Sequence, residues 1–252
     1  MTTTYDARAA LREGGLDPDR VAGLVRAGLE EDLDGGVDVT TEATVPATAR
    51  ASGDFVLSVQ GPTQALLTAE RTALNFLCHL SGIATATRRW VDAVRGTGAR
   101  VRDTRKTTPL LWSLEKYAVR CGGGVNHRMS LAAEALVKDN HVVAAGGVGA
   151  AQRLVRERFP GVPVESEVTR LDQLEEVLAA GADSILLDNM APQVVRDAVA
   201  IVRGRATVEA SGRLTLEGGR AVAEAGVDFL AVGALTHSAP ALDIAFDLRE
   251  HR

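Results

Sequence analysis

The sequence is poor in aromatic residues and cysteine, and it lacks any long apolar run. Aromatic residues make up 4% of the 252 positions although 46% are hydrophobic, so small aliphatic side chains must fill the core. Cys78 and Cys121 form no metal-binding or redox pattern. No apolar run reaches the length of a membrane span, the first residues do not resemble a signal peptide, and the net charge of −5 argues against a basic nucleic-acid-binding surface. These absences predict a soluble protein of the cytoplasm.

Lysine is also scarce, and its positions are clustered. Of the 28 basic residues only three are lysines: Lys106, Lys116 and Lys138. Lysine has a compact ammonium charge, whereas the guanidinium of arginine is planar and forked. These three positions are therefore places where arginine could fail to replace lysine. Chance placement in an arginine-rich sequence is the alternative. The segment from Arg105 to Lys138 nevertheless predicts a binding site for a small, multiply anionic substrate.

Before residue 98 and after residue 240, the sequence carries mostly helical signals, with one predicted strand. The predicted elements are a loose tail over 1–15, a helix from Asp17-Pro18 to Asp32, a strand over Ala51–Val59, helices over Thr68–Leu80 and from Ser81 onward, and a terminal helix over Ala241–Arg252.

From residue 98 onward, short β-rich runs alternate with helical segments. The predicted strands are Arg100–Thr104, Ala135–Asp139, Val164–Val168, Ser184–Asp188, Ala206–Glu209 and Phe229–Gly233. The helices between them include Leu171–Ala179, Ala191–Val202 and Glu217–Ala225. Strand and helix alternation at this short repeat predicts a parallel sheet that closes into an α/β barrel.

Polar residues follow every one of these predicted strands. The strand ends carry Asp103 to Lys106, Lys138 to His141, Glu167, Asp188-Asn189, Glu209 to Gly212, and Gly233-Ala234. The carboxyl ends of parallel barrel strands lie on one face, where active sites form, so a shared pocket is expected there. The early strands supply basic groups and the later ones carboxylates, a division that suits an anionic substrate beside a phosphorylated sugar.

Each of these features has a less specific interpretation. Arg105 and Lys106 could form surface ion pairs of little energetic value, and Gly122 to Gly124 could be a simple turn. Lys138 follows an apolar strand and is expected to point into the pocket, where it could serve as a Schiff-base nucleophile or as an anion anchor.

The order of these motifs resembles that of the quinolinate phosphoribosyltransferases. The matching segments are Leu67 to Asn75, Leu80 to Thr85, Asp103 to Pro109, Glu115 to Arg120, Gly122 to Arg128, Lys138 to His141, Leu186 to Asn189, Glu209 to Gly212 and Val232 to Ser238, with Glu31-Asp32 and Asp38 to Thr41 nearer the start.

This resemblance implies an irregular TIM-like α/β barrel with a shortened N-terminal α/β sandwich domain. The implied domains are a sandwich over 1–97, a barrel over 98–239 and a C-terminal helix over 240–252. The implied reaction joins quinolinate to phosphoribosyl pyrophosphate with Mg²⁺, releases pyrophosphate and CO₂, and gives nicotinate mononucleotide for NAD biosynthesis. The resemblance also implies a homodimer or a higher homo-oligomer.

The same resemblance assigns roles to individual residues. Arg105, His127, Arg128 and Lys138 would hold the quinolinate carboxylates, and Arg71 would reach across the dimer into the neighbouring site. Lys106 would contact phosphoribosyl pyrophosphate, while Glu167 and Asp188 would bind its ribose hydroxyls and, through it, the metal. The 5′-phosphate would lie at Ser211, Gly212, Gly233 and His237. Lys106, Lys138, Glu167 and Asp188 form the implied catalytic set, and Lys116 is expected to be structural.

Two departures from the family pattern leave alternatives open. After Phe55-Val56 the family continues through further sandwich strands that this chain lacks, and Arg213 stands where glycine or asparagine is usual. An inactive or structural homologue is therefore one alternative. The molybdenum-transport-associated paralogue of the family and an unrelated Schiff-base barrel enzyme are the others.

Overall fold

The structure is a computed structural model that describes residues 6–44, 50–53 and 59–250. Its helices are α1 Ala7–Glu13, α2 Pro18–Leu33, α3 Val39–Thr44, α4 Thr63–Ala93, α5 Trp112–Cys121, α6 Asp139–Ala145, α7 Val148–Arg158, α8 Leu174–Ala179, α9 Pro192–Val202, α10 Leu216–Ala223 and α11 Ala234–His237, with a 3₁₀ turn over Leu171–Gln173. Its strands are β1 Arg50–Gly53, β2 Val59–Pro62, β3 Arg100–Arg102, β4 Ala135–Val137, β5 Val164–Val168, β6 Ser184–Asp188, β7 Thr207–Ser211, β8 Phe229–Ala231 and β9 Arg249–Glu250.

The chain divides into two compact units. One comprises residues 1–82 and 240–252, and the other comprises residues 83–239. The boundary thus falls inside α4, whereas the sequence placed it after residue 97. Among the described residues, no helix is long and apolar enough to cross a lipid bilayer.

The first unit contains a small antiparallel sheet in the strand order β2-β1-β9. The single strand predicted over Ala51–Val59 is wrong, because Gly53 pairs with Val59 and the two belong to neighbouring antiparallel strands. The loose tail predicted for residues 1–15 is also wrong where the structure describes it. There α1 begins after Asp6, whose carboxylate accepts hydrogen bonds from the backbone N–H groups of Arg8 and Ala9.

The helical start at Asp17-Pro18 is confirmed. Asp17 caps α2 by accepting a 2.9 Å hydrogen bond from the N–H of Asp19, and Pro18 occupies the first turn, where a missing N–H costs nothing. The predicted break at Ser81 is wrong, since α4 continues through it. Position 82 within this helix requires glycine, because a Cβ there would lie 2.2 Å from the carbonyl oxygen of Pro240.

The C-terminal helix predicted over Ala241–Arg252 is wrong for the residues that the structure describes. Residues 241–248 have no regular structure, and β9 then pairs with β1. The N–H of Leu242 donates to the Cys78 carbonyl at 3.0 Å, and the Cys78 thiol donates to the Ile244 carbonyl at 3.7 Å. These contacts with α4 replace the hydrogen bonds that a helix would have made within itself.

The second unit is built on a six-stranded parallel sheet in the order β3-β8-β7-β6-β5-β4. All six predicted strands are confirmed, with ends shifted by up to two residues. The segment at Val125 extends the sheet beyond β3, because its N–H donates to the Val101 carbonyl at 2.8 Å.

This sheet curls into an irregular α/β barrel. Side chains from distant parts of the sheet meet inside it: Arg102 of β3 contacts Glu209 of β7, and His127, in the loop after Val125, contacts Glu165 of β5. Inward side chains from alternate strands form such layers in α/β barrels. The predicted barrel fold is thereby confirmed, and its strand ends provide the setting for the candidate site.

Candidate active site

The predicted strand-end residues lie on one face of the barrel. Because the six strands are parallel, their carboxyl ends share an edge, and the loops that follow them carry the predicted side chains. The barrel residues concerned are Arg105 and Lys106 after β3, Lys138 after β4, Glu167 within β5, Asp188 at the end of β6, Ser211 and Gly212 at and after the end of β7, and Gly233 and His237 after β8.

Lys138 and Glu167 link the basic and acidic parts of this face. The Lys138 ammonium nitrogen lies 3.4 Å from Glu167 Oε2, with side-chain exposures of 46% and 13%. Burial raises the pKa of Glu167, and the negative charge of Asp188 adds to this effect against the opposing charge of Lys138. Two carboxylates thus lie near each other on neighbouring strands, with one ammonium group beside them.

Asp188 is held by its neighbour Asn189. The Asn189 side-chain amide donates to Asp188 Oδ2 at 2.8 Å, and its backbone N–H donates to the Ser211 carbonyl at 3.0 Å. Asn189 has a φ of +54°, a left-handed conformation that asparagine tolerates better than most residues. Gly212, with a φ of +88°, packs against this amide so closely that a Cβ would lie 2.5 Å from it. The ends of β6 and β7 therefore form a tightly packed turn under Asp188.

The loops after β3 and β8 approach each other closely. A Cβ on Gly233 would lie 3.1 Å from Lys106 Cδ and 3.3 Å from the imidazole of His237. The Thr236 hydroxyl donates to the Lys106 carbonyl at 2.8 Å, which ties the two loops together. Lys106 and His237 are both exposed, so this corner offers two basic side chains to solvent.

Arg105 and Arg128 form a second basic corner. Burial lowers the pKa of the Arg128 guanidinium, and the positive charge of Arg105 lowers it further. Arg128 is half-buried and donates to the Glu134 carbonyl at 2.8 Å, while Arg105 is exposed. Two cations that repel each other in a partly buried place are stabilised by an anion bound to both.

His127 lies beneath this corner, buried within a group of carboxylates. Its Nε2 lies 2.9 Å from Glu165 Oε2 and 3.7 Å from Glu209 Oε1, and its Nδ1 lies 3.7 Å from Glu134 Oε2. Burial tends to raise the pKa of Glu165, but the hydrogen bond from His127 and further electrostatic attraction from its surroundings bring it below its ordinary value. Burial and the charge of Glu165 raise the pKa of Glu209 to about 8.

Lys116 is fully buried in α5, as expected for a structural lysine. Its ammonium group pairs with the equally buried Asp103 and donates to the His127 carbonyl at 3.1 Å. Burial lowers the pKa of Lys116 more than the Asp103 carboxylate raises it. Two of the three lysines, Lys106 and Lys138, therefore lie at the strand-end face, and Lys116 is buried in α5.

Arg71 belongs to the first compact unit, where it lies exposed on α4. Its predicted role across a dimer remains a prediction. The break predicted after Phe55-Val56 lies outside the described residues.

Sequence reasoning gave no role to Glu165 or Arg102. The signal for Glu165 was present, because it precedes Glu167 by two residues in one strand, and such residues share a face. Arg102 also stands two residues before a site loop, and its guanidinium donates to Glu209 Oε2 at 2.7 Å. Both were obscured by the more exposed charges that follow them in the sequence.

The fold and the site together define an α/β barrel protein with basic and acidic side chains grouped at the carboxyl ends of its strands. Two family models match the chain: the quinolinate phosphoribosyl transferase N-terminal domain over residues 21–81 and its C-terminal domain over residues 83–247. The chain belongs to the quinolinate phosphoribosyltransferase family.

Individual relatives agree with this assignment. The chain is 45% identical to a nicotinate-nucleotide pyrophosphorylase (carboxylating) of Mycobacterium leprae, with 91% of this chain and 98% of the relative covered. The human protein of the same name is 41% identical, with 77% and 67% covered. Among solved structures, NadC from Streptococcus pyogenes matches with a TM-score of 0.88 at 35% identity, covering 94% of this chain and 99% of that one.

One of the comparisons bears on the missing segment. The alignment with the M. leprae relative runs over 279 positions, more than the 252 residues of this chain, so that relative contains residues that this chain lacks. A crystallised NadC deletion mutant matches with a TM-score of 0.90 at 35% identity, with 94% of this chain and 99% of that chain covered.

Proposed function

We propose that this chain transfers a phosphoribosyl group from phosphoribosyl pyrophosphate to quinolinate, with loss of CO₂, to give nicotinate mononucleotide. The observation that carries the proposal is the meeting of basic and acidic groups at the strand ends, where the Lys138 ammonium lies 3.4 Å from the Glu167 carboxylate. One substrate of this reaction is a dicarboxylate and the other is a phosphorylated sugar. A face with both kinds of group suits that pair.

The basic corner formed by Arg105 and Arg128 is proposed to bind quinolinate. Quinolinate has two adjacent carboxylates on a pyridine ring, and Arg105 and Arg128 offer two guanidinium groups whose mutual repulsion an anion would relieve. Lys138 would provide a third positive charge beside the acidic groups. His127 would contribute the floor of this corner, where its ring is held by Glu165.

The acidic groups and the glycine turns are proposed to bind phosphoribosyl pyrophosphate. Glu167 and Asp188 would contact the ribose, where their charge stabilises the positive charge that develops as pyrophosphate departs. The 5′-phosphate would lie along Ser211, Gly212, Gly233 and His237, where backbone N–H groups can be approached closely. Lys106 would then neutralise part of the pyrophosphate charge.

Mg²⁺ fits the acidic groups. Carboxylate oxygens are ligands that Mg²⁺ prefers, and it commonly binds through one or two carboxylates together with substrate phosphates. Burial and the neighbouring Asp188 charge raise the pKa of Glu167, so a cation near both would relieve their repulsion. Glu167 and Asp188 would hold the ion indirectly, through phosphoribosyl pyrophosphate, and the ion would neutralise charge on the pyrophosphate leaving group.

The proposed chemistry then needs no covalent intermediate with the protein. The pyridine nitrogen forms a bond to the ribose C1 as the bond to pyrophosphate breaks, which leaves a pyridinium ring. That ring accepts the electron pair of the C2–carboxylate bond as CO₂ departs, and C2 then takes up a proton. A desolvated site favours this charge-neutralising loss of CO₂. The chain's residues bind and orient the substrates, and no Schiff base at Lys138 is required.

The assembly and the location of the protein are part of the same proposal. We propose a homodimer in which Arg71 of one chain completes the quinolinate site of the other, because Arg71 is exposed on α4 and carries a charge suited to a carboxylate. A cytoplasmic location agrees with two free cysteines and with substrates of central metabolism.

The direct test is an assay of purified protein with quinolinate, phosphoribosyl pyrophosphate and Mg²⁺. The proposal expects nicotinate mononucleotide to form only when all three are present, and light scattering to report a dimer. No product from a well-folded dimer would favour the inactive homologue instead. Trapping of a carbonyl substrate on Lys138 by borohydride would favour the Schiff-base enzyme.

A further inference from the structure

Every polar atom of His127 has a partner within the protein. Its backbone N–H donates to Asp103 Oδ1 at 2.8 Å, and its carbonyl accepts from the Lys116 ammonium at 3.1 Å. Its Nδ1 accepts from the backbone N–H of Arg128 at 2.6 Å, and its Nε2 lies 2.9 Å from Glu165 Oε2. The residue is therefore fixed in position and in ring orientation from four directions.

The hydrogen-bond pattern also assigns the tautomer of the ring. Because an N–H group can only donate, Nδ1 must accept the bond from Arg128, and the ring proton lies on Nε2. Nε2–H then donates to the Glu165 carboxylate. The other Glu165 oxygen accepts from the Ser184 hydroxyl at 3.0 Å, which fixes the carboxylate in turn.

The groups that hold His127 are shielded from any ligand. The side chains of Asp103, Lys116 and Glu165 have no solvent exposure. The Asn126 amide donates to the Lys116 carbonyl at 2.8 Å and to Asp103, so the loop that leads into His127 is tied to the same pair. These groups cannot touch a substrate, but their hydrogen bonds lead to His127 and, through its ring, to Arg128.

A bound cation is a weaker explanation of the same cluster. Donor atoms of His127, Glu165 and Glu209 lie within 4.8 Å of one another, which is close enough to hold a metal ion. However, the proton on Nε2 blocks the lone pair that a metal would need, and the Arg102 guanidinium already occupies one Glu209 oxygen at 2.7 Å. Hydrogen bonding accounts for the contacts without an ion.

We infer that Glu165, together with the buried pair of Asp103 and Lys116, is a positioning residue for the quinolinate site. It orients the His127 ring, whose Nδ1 anchors the backbone of Arg128 and so aims that guanidinium at a substrate carboxylate. This inference rests on the proposed function. It predicts that a change at Glu165 acts mainly on the dicarboxylate, because the hydrogen bonds of the Glu165 carboxylate go to His127 and Ser184 and not to Glu167 or Asp188.

The test compares three substitutions in β5. Glu165→Leu removes the acceptor for His127 at similar volume, whereas Glu165→Gln keeps an oxygen acceptor and gives Ser184 a donor in place of an acceptor. Ser166→Ala is the matched control. Ser166 is the adjacent, equally buried residue, and its hydroxyl bonds Gln152 at 3.0 Å on the opposite face of the strand.

The expected result is a selective change in KM. Glu165→Leu should raise the KM for quinolinate about tenfold or more while the KM for phosphoribosyl pyrophosphate stays within about twofold. Glu165→Gln should keep the quinolinate KM within about threefold of the parent, and Ser166→Ala should lower Tm without changing the ratio of the two KM values. Metal analysis of the purified protein should find no ion that depends on Glu165.

Several outcomes would overturn the inference. These are an unchanged quinolinate KM in Glu165→Leu, equal changes in both KM values, an equal loss in Glu165→Gln, or a tightly bound metal lost with Glu165. If Glu165→Leu does not fold, NMR signals from the His127 ring of the parent protein provide the test of the inference. A proton on Nε2 that exchanges slowly supports the inference, and a proton on Nδ1 overturns it. If the parent protein makes no nicotinate mononucleotide, the proposed function fails, and the NMR result still tests the geometry.

Discussion

The ammonium nitrogen of Lys138 lies 3.4 Å from Oε2 of Glu167. Lys138 follows β4 and Glu167 lies in the neighbouring strand β5, and together they join the basic half of the site to the acidic half. In the proposed reaction the two substrates must meet at this boundary, because the ring nitrogen attacks the ribose there.

Replacement of Lys138 should therefore affect both substrates. We expect Lys138→Met to reduce kcat/KM for quinolinate by about a hundredfold, since a charged hydrogen bond to a carboxylate is lost. Lys138→Arg should recover only part of this loss, because a planar fork does not replace a compact ammonium group. Steady-state kinetics with each substrate varied in turn measures the effect. Full activity in Lys138→Met would show that this contact is incidental.

Glu209 should make stability depend on pH. Its pKa is raised from 4.5 to about 8 by burial and by the charge of Glu165, so the folded state binds this proton more tightly than the unfolded state. The stabilisation is complete below the unfolded pKa and is lost as the pH rises through about 8. Glu209→Gln stays neutral and keeps an acceptor for Arg102.

The unfolding free energy of Glu209→Gln should consequently rise relative to the parent between about pH 5 and 8, by at most about 1.4 kcal/mol per pH unit. Urea denaturation at a series of pH values measures this difference. A difference that does not vary with pH would mean that Glu209 is already ionised in the folded protein.

Gly212 offers a test of the turn beneath Asp188. Gly212→Ala should lower the unfolding free energy by about 1–2 kcal/mol because alanine disfavours the left-handed backbone. The loss should exceed this amount, because a Cβ would also lie 2.5 Å from Asn189. Displacement of Asn189 should also raise the KM for phosphoribosyl pyrophosphate. Gly204→Ala is the control, since Gly204 has a φ of +71° and open space around it. Equal effects of the two substitutions on stability and on KM would contradict the role of this turn.

The buried lysine predicts a large loss of stability. Lys116→Met leaves the buried Asp103 carboxylate without its ion-pair partner, and breaking such a pair costs about 3–5 kcal/mol. Lys106→Met, the same change at an exposed position, should shift the unfolding free energy by no more than about 0.5 kcal/mol. Thermal or chemical denaturation compares them, and similar losses in both would argue that the Lys116 pair is not important for folding.

The barrel was predictable because its signals are local. Each strand is a short β-rich run between helices, and the polar residue near its end, such as Asp188 or Lys138, marks the face where the strands terminate. The errors came from long-range contacts. Ser81 looks like the cap of a new helix in sequence, but α4 runs through it, and Gly82 allows the Pro240 backbone to lie beside the helix. The last segment looks helical, but its backbone bonds Cys78 and pairs with β1.

The floor of the site was less predictable for the same reason. His127 and Glu165 are 38 residues apart, and Arg102 and Glu209 are 107 residues apart. Their pairing depends on the curl of the barrel, which brings alternate strands together. The alternation of side chains within β5 predicts that Glu165 shares a face with Glu167, but it does not predict that Glu165 pairs with His127.

The central claim is that this site takes a dicarboxylate and removes one of its carboxyl groups as CO₂. Its most direct test supplies quinolinate labelled at the 2-carboxylate and, in parallel, nicotinate, which has the same ring without that group. With phosphoribosyl pyrophosphate and Mg²⁺ present, we expect one labelled CO₂ for each nicotinate mononucleotide formed from quinolinate and no product from nicotinate. Product from nicotinate at a comparable rate, or turnover of quinolinate without release of labelled CO₂, would contradict the account.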